Sequence, residues 1–163
     1  MSPRCEIAPM RITDYLTEED ILEDIPGSTK VEILTNLIDA LVAKGRLLSK
    51  EPYLSFLIHR ESLGTTAVGE GIAVPHARVE GLDSLVMALV RFKKGIGFGS
   101  LDNTPVHLLF LVLAPEESTE TYLRALAKVV SLLKNKEAKE RLLAAQDPKE
   151  IYQVLREYDE REE

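Results

Sequence analysis

The chain has 163 residues and a mass of 18.2 kDa, which suits one domain built around one core. At 45% hydrophobic and 29% charged residues it lies well away from disordered or collagen-like compositions. A formal net charge of −7 argues against nucleic acid or an anionic membrane surface as a general partner, because both need clustered positive charge.

The first twenty residues are polar with a few apolar anchors (Ile7, Met10, Ile12, Leu16) and read as a loosely docked lead-in. Ile21, Leu22 and Ile25 suit a short strand. Thr29 followed by Glu32 has capping-box spacing, and Leu34, Leu37, Ile38, Leu41 and Val42 recur at helical intervals until Lys44-Gly45. Ser49 is placed to cap a second helix with Tyr53, Leu54, Leu57 and Ile58 inward and Gly64 near its end. Short apolar segments follow at Thr66 to Val68, Ile72 to Val74, Leu85 to Val90 and Val106 to Leu113. The last two are continuously apolar, as strands buried on both faces are, so helices should cover both sides of a sheet. Ala114-Pro115 closes the last strand. Leu123, Leu126, Val130 and Leu133 then mark an amphipathic helix, Glu137 to Gln146 another, and Asp147-Pro148-Lys149-Glu150 opens a final one bearing Ile151, Val154 and Leu155. An α/β domain follows, a mixed sheet flanked by helices on both faces.

The acidity is uneven. Residues 1–30 hold seven acids and three bases, and 157–163 hold five acids and one base, so each end is −4 and the body is +1. Charge runs of this kind read as solvated ends. The lone Cys5 cannot form an intrachain disulfide, consistent with a reducing, cytoplasmic location. Apolar runs such as Leu108 to Ala114 are far short of the ~20 residues that span a bilayer, so no membrane insertion is expected. The N-terminus has no signal-peptide pattern.

Chemistry near neutral pH directs attention to His59, His76 and His107, since imidazole can be nucleophile, acid, base or ligand there. His107 sits inside an apolar strand and reads as a satisfied or edge-facing strand histidine. His59, near the end of the second helix, reads as a helix-surface residue. His76 stands in Gly69-Glu70-Gly71-Ile72-Ala73-Val74-Pro75-His76-Ala77-Arg78. Pro75 lacks an N–H and should end ladder pairing, placing the ring at a strand exit, while the glycines allow close approach to a partner or phosphate. Arg78 offers a guanidinium to an anion. These features leave two readings open, a reactive histidine or a buried structural one. The histidines are separated by 17 and 31 residues with no local Cys or His pair, which is a poor zinc pattern, so no metal site is assigned. Cys5 in the lead-in is not assigned as a nucleophile. Neither a Walker-type glycine loop nor a Gly-x-Ser-x-Gly elbow occurs, so nucleotide use has no support.

The run from Leu57-Ile58-His59-Arg60-Glu61-Ser62-Leu63-Gly64-Thr65-Thr66 through Gly71-Ile72-Ala73-Val74-Pro75-His76 resembles the signature of the type-2 enzyme IIA domains of the bacterial phosphotransferase system, the fructose/mannitol and nitrogen-regulatory group. Leu101-Asp102-Asn103-Thr104-Pro105-Val106, leading into Leu108 to Pro115, is similar to the family's segment around a central strand. The resemblance implies a lead-in over 1–11, the domain over 12–157 and an acidic tail over 158–163. It implies that His76 takes a phosphoryl group from a histidine-containing phosphocarrier protein and passes it on, with Arg60 beside the ring, and that no cofactor is used. Arg78 and the Thr65 and Thr66 hydroxyls suit a phosphate, and Tyr122 stands where many members carry a second histidine. Apolar residues around His76 would form the donor's docking face. Onward partners would be a IIB component of a sugar-specific system or proteins regulated by the phosphorylation state. Read as a stand-alone chain, it resembles the nitrogen-regulatory type more than the sugar-specific one.

Overall fold

The structure, a computed structural model, describes residues 10–161, so Cys5 and the anchor Ile7 lie outside the described residues. In chain order the elements are β1 (Ile21–Glu23), α1 (Lys30–Ala43), α2 (Tyr53–Ser62), β2 (Ala67–Gly69), β3 (Ile72–Ala73), β4 (His76–Val79), β5 (Val86–Ile96), β6 (Val106–Pro115), α3 (Thr119–Lys134), α4 (Lys136–Ala144) and α5 (Pro148–Arg161). Single 3-10 turns at Ile12–Asp14 and Glu18–Asp20 precede them.

The two continuously apolar runs become the centre of a six-stranded mixed sheet, β5 and β6 pairing antiparallel with Leu89 opposite Phe110. β1 lies parallel outside β5, and β3 and then β2 lie outside β6. Both faces of the central pair are buried because successive side chains point to opposite sides. Met87, Leu89, Leu108, Phe110 and Val112 pack with α3, α4 and α5, while Ala88, Val90, Leu109, Leu111 and Leu113 pack with α1 and α2. Strands so enclosed need no polar face, which is why their sequences do not alternate.

Three local expectations are corrected. Pro75 does not end the ladder: it loses only a donor, and its carbonyl accepts from Val112 N at 3.0 Å. A further parallel strand, β4, therefore begins at His76, paired with Val112. Ser49 does not cap α2. Its hydroxyl bonds the Glu51 carbonyl, Pro52 takes the N-cap position, and the Glu51 carboxylate accepts from Ser55 N at 3.2 Å. The acidic ends are not simply solvated. Asp20 is fully buried against Arg46, 2.9 Å away. Asp159 accepts from Ile12 N and Thr13 N, each at 2.9 Å, and from Thr13 Oγ1 at 2.7 Å. α5 accordingly runs to Arg161 through the stretch expected as a tail, and Ile12 and Leu16 are fully buried rather than loosely docked.

Candidate functional site

β4 presents His76 and Arg78 on one face while Ala77 and Val79 enter the core, the period-two consequence of extended backbone. The His76 ring is half-buried, and its Nδ1 lies 2.6 Å from the Val74 carbonyl oxygen. A carbonyl can only accept, so Nδ1 carries the hydrogen. In the neutral ring the lone pair then resides on Nε2, which has no hydrogen-bond partner among the described residues. Burial and then the Arg60 charge push the His76 pKa below its ordinary value, against the opposing pull of the Val74 carbonyl and of Glu61. Together these leave a neutral, oriented imidazole near pH 7.

Cationic groups from two elements frame the ring. Arg60, on the last turn of α2, donates from Nη1 to the Gly64 carbonyl at 2.9 Å and acts electrostatically on His76. Arg78 donates to Thr119 Oγ1 at 2.7 Å and stands 5.7 Å over the Tyr122 ring. Tyr122 lies on the first turn of α3, its ring centroid 5.9 Å from the imidazole at an interplanar angle of 49°. Burial raises the phenol's pKa, outweighing Arg60 and Arg78, so the hydroxyl stays protonated and able to donate. The structure thus brings together His76, Arg60, Arg78 and Tyr122, four residues singled out from the sequence.

The two threonines are a correction. Thr65 Oγ1 donates to the Phe98 carbonyl at 3.3 Å and accepts from Ala67 N at 3.1 Å. Thr66 is buried, and its hydroxyl donates to Glu61 Oε1. Both hydroxyls face the protein because the buried Glu61 carboxylate and the adjoining backbone need partners. The glycines likewise meet protein: a Cβ at Gly69 would lie 2.9 Å from Asp102 Oδ2. That carboxylate accepts from Glu70 N, Thr104 N and the Ser100 and Thr104 hydroxyls, which hold its pKa well below the usual range.

His59 is exposed on α2. His107 bonds the Phe92 carbonyl through Nδ1 at 2.9 Å, a satisfied strand histidine as read from its surroundings. It lies five residues along β6 from the partner of His76, roughly 16 Å at the rise of a strand. Among the described residues no three His, Cys, Asp or Glu side chains converge as a metal site would need, and no helix is long and apolar enough to cross a membrane. Leu63, Leu101 and Leu123 are 72%, 76% and 59% exposed; Leu63 follows α2 close to Arg60, Leu123 follows Tyr122, and Leu101 N bonds the Ala67 carbonyl. Sequence reasoning missed Lys30, Glu61 and Thr119 as supporting residues. The only signal was the Arg60-Glu61 adjacency, since Lys30 and Thr119 come from distant parts of the chain.

Residues 14–158 match the family model described as phosphoenolpyruvate-dependent sugar phosphotransferase system, EIIA 2. A nitrogen regulatory protein of Bradyrhizobium diazoefficiens is 37% identical over 146 residues, 90% of this chain and 95% of the relative. The fructose-specific EIIABC component of Bacillus subtilis is 33% identical over 92% of this chain, which spans only 24% of that longer protein. Among solved structures, nitrogen regulatory protein IIA-Ntr from Neisseria meningitidis superposes with a TM-score of 0.80 at 29% identity, covering 88% of this chain and 98% of that one. IIA mannitol from Escherichia coli superposes with a TM-score of 0.70 at 26% identity, covering 86% and 98%.

Proposed function

The chain belongs to the EIIA 2 family of the phosphoenolpyruvate-dependent sugar phosphotransferase system, and on that premise we propose that it is a phosphoryl carrier whose acceptor atom is His76 Nε2. The observation that carries this reading is the Nδ1 contact to Val74 O, which leaves a lone pair on the outer nitrogen of a neutral ring. A phosphohistidine on the donor phosphocarrier brings phosphorus to that lone pair. The new P–N bond forms as the donor's P–N bond breaks, and the bonding pair returns to the donor's ring nitrogen. Nδ1–H stays on the Val74 carbonyl throughout, so His76 needs no proton acceptor.

The transferred group carries close to two negative charges and needs donors that remain charged. Arg60 and Arg78 supply them, and Tyr122 supplies a neutral hydroxyl donor. The exposed leucines at 63 and 123, which lie near Arg60 and Tyr122 along the chain, offer the donor apolar surface that limits water at the labile P–N bond. Neutral Tyr122, in place of a second histidine, adds one uncharged hydrogen bond to an acceptance that rests mainly on His76 and the arginines, and its lack of charge bears more on onward transfer.

The near full-length likeness to nitrogen regulatory proteins favours a carrier whose phosphorylation state regulates target proteins. Likeness to a fructose-specific component supports the second reading, onward transfer to a cysteine of a IIB component. Incubation with phosphoenolpyruvate, enzyme I and the phosphocarrier should add one acid-labile phosphoryl group, and His76→Ala should abolish it; labelling that persists in this variant refutes the assignment. Chasing the labelled protein with IIB separates the two readings.

A further inference from the structure

Several charged side chains are buried here, and most tie down elements away from His76. Asp20 pairs with Arg46, Asp159 holds the Ile12–Asp14 turn, and Arg91 donates to the Leu142 and Ala145 carbonyls that end α4. Glu61 differs because its bonds lead back to the site. Its Oε2 accepts from Lys30 Nζ at 2.8 Å and from Thr66 N at 3.2 Å, while Oε1 accepts from the Thr66 hydroxyl. Thr66 O accepts from Val74 N at 3.0 Å, and Val74 O is the acceptor for His76 Nδ1. In the other direction Glu61 follows Arg60 in sequence, and its own carbonyl accepts from Gly64 N at 3.2 Å. Gly64 O is in turn the acceptor for Arg60 Nη1.

Resting on the carrier reading above, we infer that Glu61, charge-balanced by Lys30, is a positioning residue of the phosphoryl-transfer site. Through Thr66 and Val74 its carboxylate holds His76 in the Nδ1–H form, whereas the bond to residue 64 comes from its backbone and is indifferent to the side chain. A buried carboxylate keeps its place only when its lone pairs are filled and its charge is countered. Thr66 and Lys30 do both. Lys30 has a second task, because an uncountered carboxylate this close would repel an arriving phosphoryl dianion. The ammonium is well placed for that: it also lies 4.8 Å from the Phe98 ring centre and 3.3 Å from Thr65 Oγ1. The charged groups acting on His76 are Arg60 and Glu61 from α2; the Tyr122 ring of α3 lies 5.9 Å away, and Arg78 of the same strand as His76 stands over that ring.

Two readouts on the full chain test this. Nitrogen-15 NMR of the unphosphorylated protein reads which His76 nitrogen bears hydrogen, and phosphoenolpyruvate-driven labelling reads the acceptance rate. Glu61→Ala should shift the ring away from the Nδ1–H form and slow acceptance at least about tenfold. Glu61→Gln, whose amide oxygen still accepts from Thr66, should recover the tautomer. Lys30→Met should slow acceptance several-fold and raise the His76 titration midpoint, and Lys30→Arg should restore both. Wild-type tautomer and rates within twofold of wild type in Glu61→Ala and Lys30→Met would overturn the inference. Should Glu61→Ala fail to fold, the Gln variant and the Lys30 pair decide it by the same criteria. If the wild-type chain accepts no phosphoryl group, the carrier reading falls, while the tautomer measurement still decides whether Glu61 orients His76.

Discussion

Arg60→Ala isolates electrostatic stabilisation of the transferred group from support of the fold. The side chain makes one exposed hydrogen bond, to Gly64 O, and lies outside both core clusters, so its loss opens no cavity. The unfolding free energy should therefore change by no more than the small amount usual for surface substitutions, about 0.5 kcal/mol in either direction. Acceptance of phosphate should respond much more strongly. A charge-assisted hydrogen bond is worth about 1.5–3 kcal/mol, so losing one that forms on the incoming phosphoryl oxygens slows acceptance by roughly 10- to 150-fold. A second, independent effect must appear in the unphosphorylated protein. Arg60 is one of the two influences that depress the His76 pKa, so removing it should raise the His76 NMR titration midpoint. Rapid-quench labelling with a phosphorylated phosphocarrier measures the first effect, and histidine proton titration the second. An unchanged rate in a folded variant would refute the role assigned to Arg60; an unchanged midpoint would refute its electrostatic reach.

The depressed His76 pKa has a definite sign. The unfolded chain, with an ordinary imidazole near 6.5, binds the proton first as pH falls, so His76 contributes stability that is full above about 6.5 and is lost as pH drops through the folded value. Its NMR midpoint in the native protein should lie below that of the urea-unfolded chain, and a higher one would contradict the burial described. Tyr122→Phe keeps the ring beneath Arg78 but removes the donor. Acceptance should fall roughly two- to tenfold, the scale of one neutral hydrogen bond, with no change in the thermal midpoint. Asp159→Ala strands the buried Ile12 N–H and removes three hydrogen bonds; a cost of about 3 kcal/mol should lower the thermal midpoint by roughly 6–12 °C in calorimetry. Labelling of His76 at low temperature should persist in this variant, because the hydrogen bonds of Asp159 described above run to the Ile12–Asp14 turn and its ion pair to Lys128 of α3, not to His76 or its arginines.

Local chemistry written in consecutive residues was readable from the chain itself. Unbroken apolar runs at Leu85–Val90 and Val106–Leu113 require helices on both faces of a sheet, and the Pro75-His76 motif with Arg60 points to the family and to one histidine among three. Residues close in sequence share a local geometry that composition and spacing already constrain, so His76 and Arg78 could be named together two residues apart, although the strand that carries them was not foreseen. What joins distant segments was decided by folding alone. Pro75 reads as a strand end until Val112 is brought to its carbonyl. Thr66 reads as a phosphate ligand until Glu61 turns back upon it, and Lys30 has no visible part until α1 meets the end of α2. The charge that seemed to mark two solvated ends hides Asp20 and Asp159, each buried because its partners arrive from elsewhere in the chain. Whether a carboxylate faces water, a phosphate or a backbone amide depends on which groups reach it in three dimensions, and pattern along one dimension carries no information on that.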